Sequence, residues 1–462
     1  MIEAPATEAT RRPRLPVFYG WIIVVIAFVT MGVGVNGRTL FSLLFPPILD
    51  EFGWDRGGTA GAFSFGFIVA ALLSPVLGVL MDRRGPRVVL EMGVGMTAAG
   101  LLLATLADRP WQLYGSLGVL VGGGTTCLGF SGQSLYLPNW FVRRRGLAMS
   151  LAFSGVGVGS IVLLPWAQSL IAQHGWRAAC WAIGGLLLVV VAPLNLLVRG
   201  RPSDLGLQPD GDGAAGGNGA PSAADGDGAP SAPGGDGAPP RRAANIVDPA
   251  WAATDWTLGR ALRTARFWWI ALGYFAALHA WYAVQVHQTK YLVEIGFAPM
   301  QAAWALGLVS LVAIPGQIGL GHLSDRIGRE FVWTIGCLGF VLCYLALLLL
   351  RDAPVMPLLI VMVVAQGTLG YGVTSVFGAI PAEIFEGRQY GTIFGTLMLA
   401  SVAGGATGPF VTGALYDATG SYAPAWWIAI ACSLLSSLAI WIAAPRKVRA
   451  VAGRITALAR VS

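Results

Sequence analysis

Four side chains that can carry positive charge stand inside long apolar runs of this sequence: Arg38, His279, His287 and Lys290. Burying an ionisable group in such a run is costly, so each is a candidate for binding or proton handling. Arg38, in Asn36-Gly37-Arg38-Thr39-Leu40-Phe41-Ser42, offers a planar fork of N–H donors that matches a carboxylate. The competing reading is an arginine that snorkels to the nearer surface. Lys290 has Glu294 at i+4, so an ordinary ion pair would also explain it. His279 and His287 could carry a proton near neutral pH or donate to an anion; each could equally stay neutral and hydrogen-bonded between helices. No Asp or Glu lies deep in an apolar run, since Glu91 and Glu294 stand near run ends. A cavity lined by these groups should therefore prefer an anion. Asn36, Tyr136, Asn139, Gln133, Tyr282, Gln285, Gln317, Gln366 and Tyr371 could add neutral hydrogen bonds, or only join helices.

The elements that must position these residues follow from composition. Of 462 residues, 55% are hydrophobic and 11% charged, against roughly a quarter charged in soluble domains. Apolar runs of membrane-spanning length recur along the chain and are continuous rather than alternating, which excludes a transmembrane barrel. The expectation is an all-α membrane protein of twelve spans. They fall near residues 17–44, 57–80, 88–107, 112–137, 146–170 and 177–198, then 267–293, 299–322, 331–350, 355–380, 390–415 and 424–444. Twenty-four of the 30 Lys and Arg collect on one side of such a layout, and only Arg56, Arg109, Arg177 and Arg351 on the other. The positive-inside rule then puts both termini in the cytoplasm, and the inner membrane of a bacterium is the expected compartment. The net charge of +7 sits in loops and termini, as insertion requires, so nucleic acid is not an expected partner; the lipid bilayer is. The run after Arg11, Arg12 and Arg14 is too long for the core of a cleaved signal peptide. Cys127, Cys180, Cys337, Cys343 and Cys432 fall inside apolar runs without a Cys-x-x-Cys pair and read as small hydrophobes.

Between the two sets of six lies a polar segment, 199–266. Its Gln208–Pro240 portion is nearly all Gly, Ala, Asp, Pro and Ser and is expected to be a disordered linker. Trp256, Leu258, Ala261 and Leu262 with Arg260, Arg263 and Arg266 suggest one short amphipathic helix at the membrane surface between Trp251 and Arg266. The expected division is an N-terminal bundle at 1–198, this linker, and a C-terminal bundle at 267–462.

The chain also repeats itself. Gly78-Val79-Leu80-Met81-Asp82-Arg83-Arg84-Gly85-Pro86-Arg87 returns 243 residues later, Asp82 matching Asp325, as Gly321-His322-Leu323-Ser324-Asp325-Arg326-Ile327-Gly328-Arg329-Glu330. Leu49/Leu292, Glu51/Glu294, Gly53/Gly296 and Pro138/Pro381 keep the same offset, and His279 falls opposite Asn36. Gly155 and Gly159 answer Gly404 and Gly408, a four-residue spacing that lets helices approach closely. In each copy the glycine permits a tight turn. Asp82 can accept from a helix N-terminus or an arginine, and Arg83 and Arg87 can hold neighbouring helix ends, which makes the stretch a latch between two states. The plainer reading is that these bases serve topology only.

These duplicated stretches resemble the signature loops of the major facilitator superfamily, over nearly the whole chain. Phe18-Tyr19-Gly20-Trp21, Glu51-Phe52-Gly53-Trp54 and Asn139-Trp140-Phe141-Val142-Arg143-Arg144-Arg145-Gly146-Leu147-Ala148-Met149 resemble its monocarboxylate transporter and oxalate/formate antiporter branch. The resemblance implies two pseudo-symmetric six-helix bundles, with spans 1, 4, 7 and 10 lining a central path. Arg38 would lie near the place where that branch carries a span-1 lysine. With the cationic residues above, the expected function is a secondary transporter for a small organic anion, working as a monomer without a cofactor, with proton symport expected first and anion exchange second. The expected substrate side chains are Arg38, His287, Lys290, His279, Asn36, Tyr136, Tyr282 and Gln317. The expected gating residues are Gly78, Asp82, Arg83, Gly85, Arg87, Gly321, Asp325, Arg326, Gly328 and Arg329. The chain departs from the branch in span 8, which lacks the Asp and Arg of its eukaryotic members, and in span 11, which lacks the base of the oxalate exchanger. An exporter of amphipathic compounds and a non-transporting sensor are the rival readings.

Overall fold

The computed structural model describes residues 18–141, 145–208, 246–385 and 389–450. Among them, twelve helices are long and apolar enough to cross a membrane. Spans 1 to 6 are Tyr19–Phe52, Arg56–Ser74, Arg83–Ala104, Pro110–Tyr136, Ala148–His174 and Trp176–Leu196. Spans 7 to 12 are Ala265–Glu294, Pro299–Ile327, Arg329–Asp352, Met356–Ile384, Tyr390–Thr419 and Ala423–Lys447. Spans 1–6 close on one apolar core, with Phe45, Val94, Leu128, Ala152 and Ile183 fully enclosed. Spans 7–12 build theirs in two layers, one around Tyr344 and Trp426 and the other around Tyr274 and Trp333. With an even number of spans among the described residues, Phe18 and Ala450 fall on one face, here called the terminal face.

Span 1 runs on to Phe52, beyond its expected end near 44. A first helix, Tyr19–Thr39, passes through Leu40 into a second, Phe41–Phe52, which contains Pro46 and Pro47. Each proline costs one backbone hydrogen bond without halting the helix. It stops instead at Gly53, whose φ of 64° is left-handed and whose amide donates to the Leu49 carbonyl at 2.9 Å. Gly296 ends span 7 at φ 107° in the same way. The duplicated signature turns match too: Gly85 (φ 77°) kinks the helical stretch Arg56–Ala104 that carries spans 2 and 3, and Gly328 (φ 117°) separates spans 8 and 9. A side chain with a Cβ is strained at either position, which is why the glycine recurs.

The glycine ladders bring helix backbones into contact. A Cβ on Gly155 or Gly159 of span 5 would overlap the Phe28 or Gly32 carbonyl of span 1, and a Cβ on Gly404 or Gly408 of span 11 would overlap the Phe275 or His279 carbonyl of span 7. Spans 1 and 5 thus pair as spans 7 and 11 do. Spans 4 and 10 are irregular in a parallel fashion: both contain a stretch of wider π-helical winding, Tyr114–Val121 and Ala365–Leu369.

Most of the expected linker, residues 209–245, lies outside the described residues. Beyond it, the single amphipathic helix expected between Trp251 and Arg266 is replaced by two short ones, Pro249–Ala252 and Leu258–Leu262. Their aromatic residues turn inward rather than to a membrane surface. Trp256 is buried, stacks near Trp251 (4.5 Å between rings) and meets Phe385 edge-on at 5.1 Å, while Trp251 Nε1 donates to the Ile384 carbonyl at 2.7 Å. Asp248 and Thr257 cap the two helices by accepting from Trp251 N and Arg260 N, so the break between them has its own stop and start.

Candidate functional site

Arg38 lies between the two halves at the inner end of the first helix of span 1. Its guanidinium sits 3.8 Å from the centre of the Phe67 ring and 4.7 Å from that of Phe63, both on span 2 one turn apart. Tyr282 of span 7 closes the cage from the other half, packing edge-on against Phe67 at 4.4 Å and tilted against Phe63 at 6.0 Å. Gly37, Phe41, Leu44, Leu117 and Val121 complete a recess at the Arg38 side chain. Cation–π contact with two rings compensates part of the charge's desolvation. Arg38 Nη2 nevertheless remains buried and without a hydrogen-bond partner. A buried guanidinium nitrogen left unpaired is a strong donor awaiting an acceptor, and a carboxylate is the acceptor that fits its fork.

The other expected substrate residues divide by location. Asn36 and His279, opposite one another in the repeat, both rivet helix pairs. Asn36 Nδ2 donates to the Gly32 (2.7 Å) and Val156 (3.0 Å) carbonyls and its Oδ1 accepts from Ser160 Oγ at 2.7 Å, tying span 1 to span 5. His279 Nδ1 meets Thr407 Oγ1 at 3.1 Å, tying span 7 to span 11. Tyr136 is buried and donates to Gln133 Oε1 at 2.5 Å, one turn back on its own span. Gln317 is half-exposed on span 8. Of the other seven, only Tyr282 joins Arg38 in its cage.

His287 and Lys290 belong to a different structure, a layer that joins the halves on the face opposite the termini. His287 is fully buried with both nitrogens engaged: Nε2 lies 2.9 Å from the Pro409 carbonyl, and Nδ1 lies 3.2 Å from Tyr422 Oη. The carbonyl can only accept, so Nε2 carries the proton and Nδ1 accepts from the phenol. Lys290 Nζ pairs with Asp50 of span 1 at 2.5 Å, and with Glu294 only at 4.0 Å. The helical neighbour is therefore the weaker partner. At the centre is Arg56, the first residue of span 2, in a two-pronged pair with Glu294 of span 7. Its Nη1 also donates to Tyr422 Oη at 2.7 Å, and its guanidinium lies 3.4 Å above the Tyr416 ring. Asp417 of span 11 accepts from the amides of Arg56 (3.0 Å) and Gly57 (2.7 Å), capping span 2 from the opposite half. Ser42 Oγ meets Thr289 Oγ1 at 2.9 Å and the Val286 carbonyl at 3.0 Å.

Among the described residues, the contacts of the two signature stretches stay within one half. In the second, Arg329 pairs with Asp325 at 2.7 Å and with Glu383 of span 10 at 2.8 Å, while buried Glu330 accepts from the Arg446 amide at 2.8 Å. Spans 8, 9, 10 and 12 are stitched within one half. In the first, Arg87 Nε donates to the Val198 carbonyl at 3.0 Å beyond span 6. Arg83 and Arg326 are exposed, Gly78 and Gly321 lie on the helix faces before the turns, and the Asp82 side chain falls outside the described residues.

Sequence reasoning missed Arg56, Asp417, Tyr422, Phe63 and Phe67. Arg56 had a signal: it is one of four bases on the sparse side and stands at a helix start. Phe63 and Phe67 had one as well, an i, i+4 aromatic pair on the span next to Arg38.

Among the described residues, twelve candidate spans in two repeated halves, joined at one face and holding between them an arginine with an unpaired nitrogen, have the architecture of a polytopic membrane transporter. The chain belongs to the major facilitator superfamily, whose family model matches residues 20–377. It is 29% identical over 428 residues to monocarboxylate transporter 13 of Rattus norvegicus, covering 91% of this chain and 87% of that one. It is 27% identical over 453 residues to monocarboxylate transporter 11 of Homo sapiens, covering 96% and 87%. Among solved structures it is similar to the nucleoside transporter NupG (TM-score 0.68, 12% identity, covering 92% of this chain and 99% of that one). It is also similar to a bacterial homologue of the human lysosomal transporter Spinster in an inward-facing, occupied conformation (TM-score 0.63, 15% identity, 93% and 97%). These structural likenesses show the fold. The family and the relatives make the chain a transporter and not an enzyme.

Proposed function

We propose that this protein carries a small organic monoanion, a monocarboxylate, across the membrane by alternating access, with Arg38 as the anion's partner. The observation that carries this reading is the buried, unpaired Nη2 of Arg38 in an aromatic cage shared by both halves. Relatives that are themselves monocarboxylate transporters support it. The asymmetry of Lys and Arg supports placing the terminal face in the cytoplasm.

Proton symport remains the first mode of coupling in this reading, but one observation favours anion exchange as the second. Both His279 and His287 are committed to helix contacts, so neither stands beside Arg38 as a proton carrier. Uptake of labelled carboxylate into proteoliposomes, driven by a pH gradient or by preloaded unlabelled anion, separates the two. In the same assay Arg38→Ala should lower uptake by roughly thirty- to a hundredfold, the loss of a charge-assisted bidentate pair, with protein levels unchanged. Normal uptake by a folded Arg38→Ala protein overturns the assignment.

A further inference from the structure

Beyond Tyr282, spans 7 and 10 carry a second set of polar atoms. Trp281 stacks on Tyr371 with ring centres 3.8 Å apart and planes 14° from parallel. Trp281 precedes Tyr282 on span 7, their rings 6.3 Å apart, so the stacked Trp281–Tyr371 pair adjoins the Arg38 cage; Gln285 follows one turn further along span 7, and Gln366 lies on span 10. Four atoms of this neighbourhood are buried and make no hydrogen bond: Trp281 Nε1, Gln285 Oε1, Gln366 Nε2 and Tyr371 Oη. Folded proteins leave few buried polar atoms unpaired, and these four come from two helices that meet beside the Arg38 cage.

Their chemistry restricts the ligand. The group offers donors (indole, phenol, amide) and an amide acceptor, but no formal charge. A second carboxylate would arrive without a cation to meet it, and an ammonium without an anion. Between this group and Arg38 stand the mutually packed rings of Phe63, Phe67 and Tyr282. Flat faces accept a flat apolar body by offset or edge-on stacking.

We propose that these atoms form a second subsite, which binds the hydroxyl of a hydroxyaryl monocarboxylate whose carboxylate is held by Arg38. The proposal rests on the reading of Arg38 above. A zwitterionic amino acid and a dicarboxylate are both disfavoured by the same geometry, and a short aliphatic acid leaves the second subsite unfilled.

The test is a binding titration on purified full-length protein, followed by ligand-induced change in thermal midpoint and tryptophan fluorescence. The probes are acetate, phenylacetate, the three hydroxyphenylacetates, tyrosine and phthalate. The best hydroxyphenylacetate isomer should bind about five- to tenfold tighter than phenylacetate, the size of one well-placed neutral hydrogen bond, and phenylacetate tighter than acetate. Tyr371→Phe keeps the stacked ring and removes only the hydroxyl. It should bring the hydroxylated and plain acids within about twofold of each other and leave phenylacetate binding within about twofold of the parent. Gln285→Met, on the other helix, should narrow the same ratio. A hydroxyl preference that survives both variants, no preference in the parent, or acetate binding as tightly as the aryl acids overturns the second subsite. Acetate binding that depends on Arg38, without gain from ring or hydroxyl, leaves the Arg38 reading standing and removes only this one. Failure of every carboxylate removes both.

Discussion

The chain places two arginines at the boundary between its halves and gives them opposite surroundings. Arg56 is saturated by Glu294, Tyr422 and the Tyr416 face, whereas Arg38 faces rings and keeps an unpaired nitrogen. One holds the protein shut and the other is free to hold something else. His279 belongs with neither, since it does for span 7 what Asn36 does for span 1. His279→Asn should therefore keep uptake within about twofold and the thermal midpoint nearly unchanged, while His279→Leu loses the interhelical bond and about 1 kcal/mol. Uptake abolished by both substitutions alike would instead give the imidazole a direct part in transport. The sequence makes an ionisable group in an apolar run conspicuous, but it hides what that group faces. Lys290 shows the difficulty: its visible partner is Glu294 four residues on, yet its closer one is Asp50, brought in by the fold from the other half.

Among the helices, the repeat carried more information than any single motif. Gly53/Gly296 and Gly85/Gly328 sit at positive φ in both halves, and the ladders at Gly155, Gly159, Gly404 and Gly408 all mark backbone contacts. Glycine is readable because its reasons are local: a backbone angle or a missing Cβ. Gly404→Val should cost about 2–4 kcal/mol, since the added carbons meet a backbone carbonyl that cannot swing aside, and differential scanning fluorimetry would register it as a lower thermal midpoint. By contrast, Gly185→Val, on a residue with open space about its Cβ position, should change that midpoint little. The segment before span 7 was harder to read. Trp256, Leu258, Ala261 and Leu262 look like a membrane-surface face because their spacing is amphipathic, but Trp256 packs on Phe385 just past the end of span 10. Amphipathicity states that a face is covered and leaves open by what.

For the molecule as a whole, the layer at Arg56, Glu294, Lys290, Asp50, Ser42 and Thr289 joins the halves on one side, while the described contacts of the signature turns stay within their own halves. Alternating access requires that these contacts break and others form. Ser42→Cys with Thr289→Cys places two thiols where the hydroxyls now touch at 2.9 Å. Oxidation should stop transport and reduction restore it, with each single variant unaffected by oxidant. Continued transport after complete oxidation would show that this layer need not open. Arg56→Gln weakens the same layer from the other direction. Losing the two-pronged pair should shift the balance of states by about 1–3 kcal/mol, or roughly five- to a hundredfold, towards the form open on that face. Labelling of a cysteine introduced at Val286 should then rise in rate.

Asp417 adds a consequence of its own. It caps the start of span 2 across the boundary, so the amides of Arg56 and Gly57 are covered only while the halves are shut together. In the alternating access proposed above, each turnover releases these two hydrogens to water and then reclaims them. Deuterium uptake at the first turn of span 2 is therefore an intrinsic clock: it counts openings of this face in unlabelled protein. It should run faster when substrate drives the cycle, and it should stop when the Ser42–Thr289 position is locked.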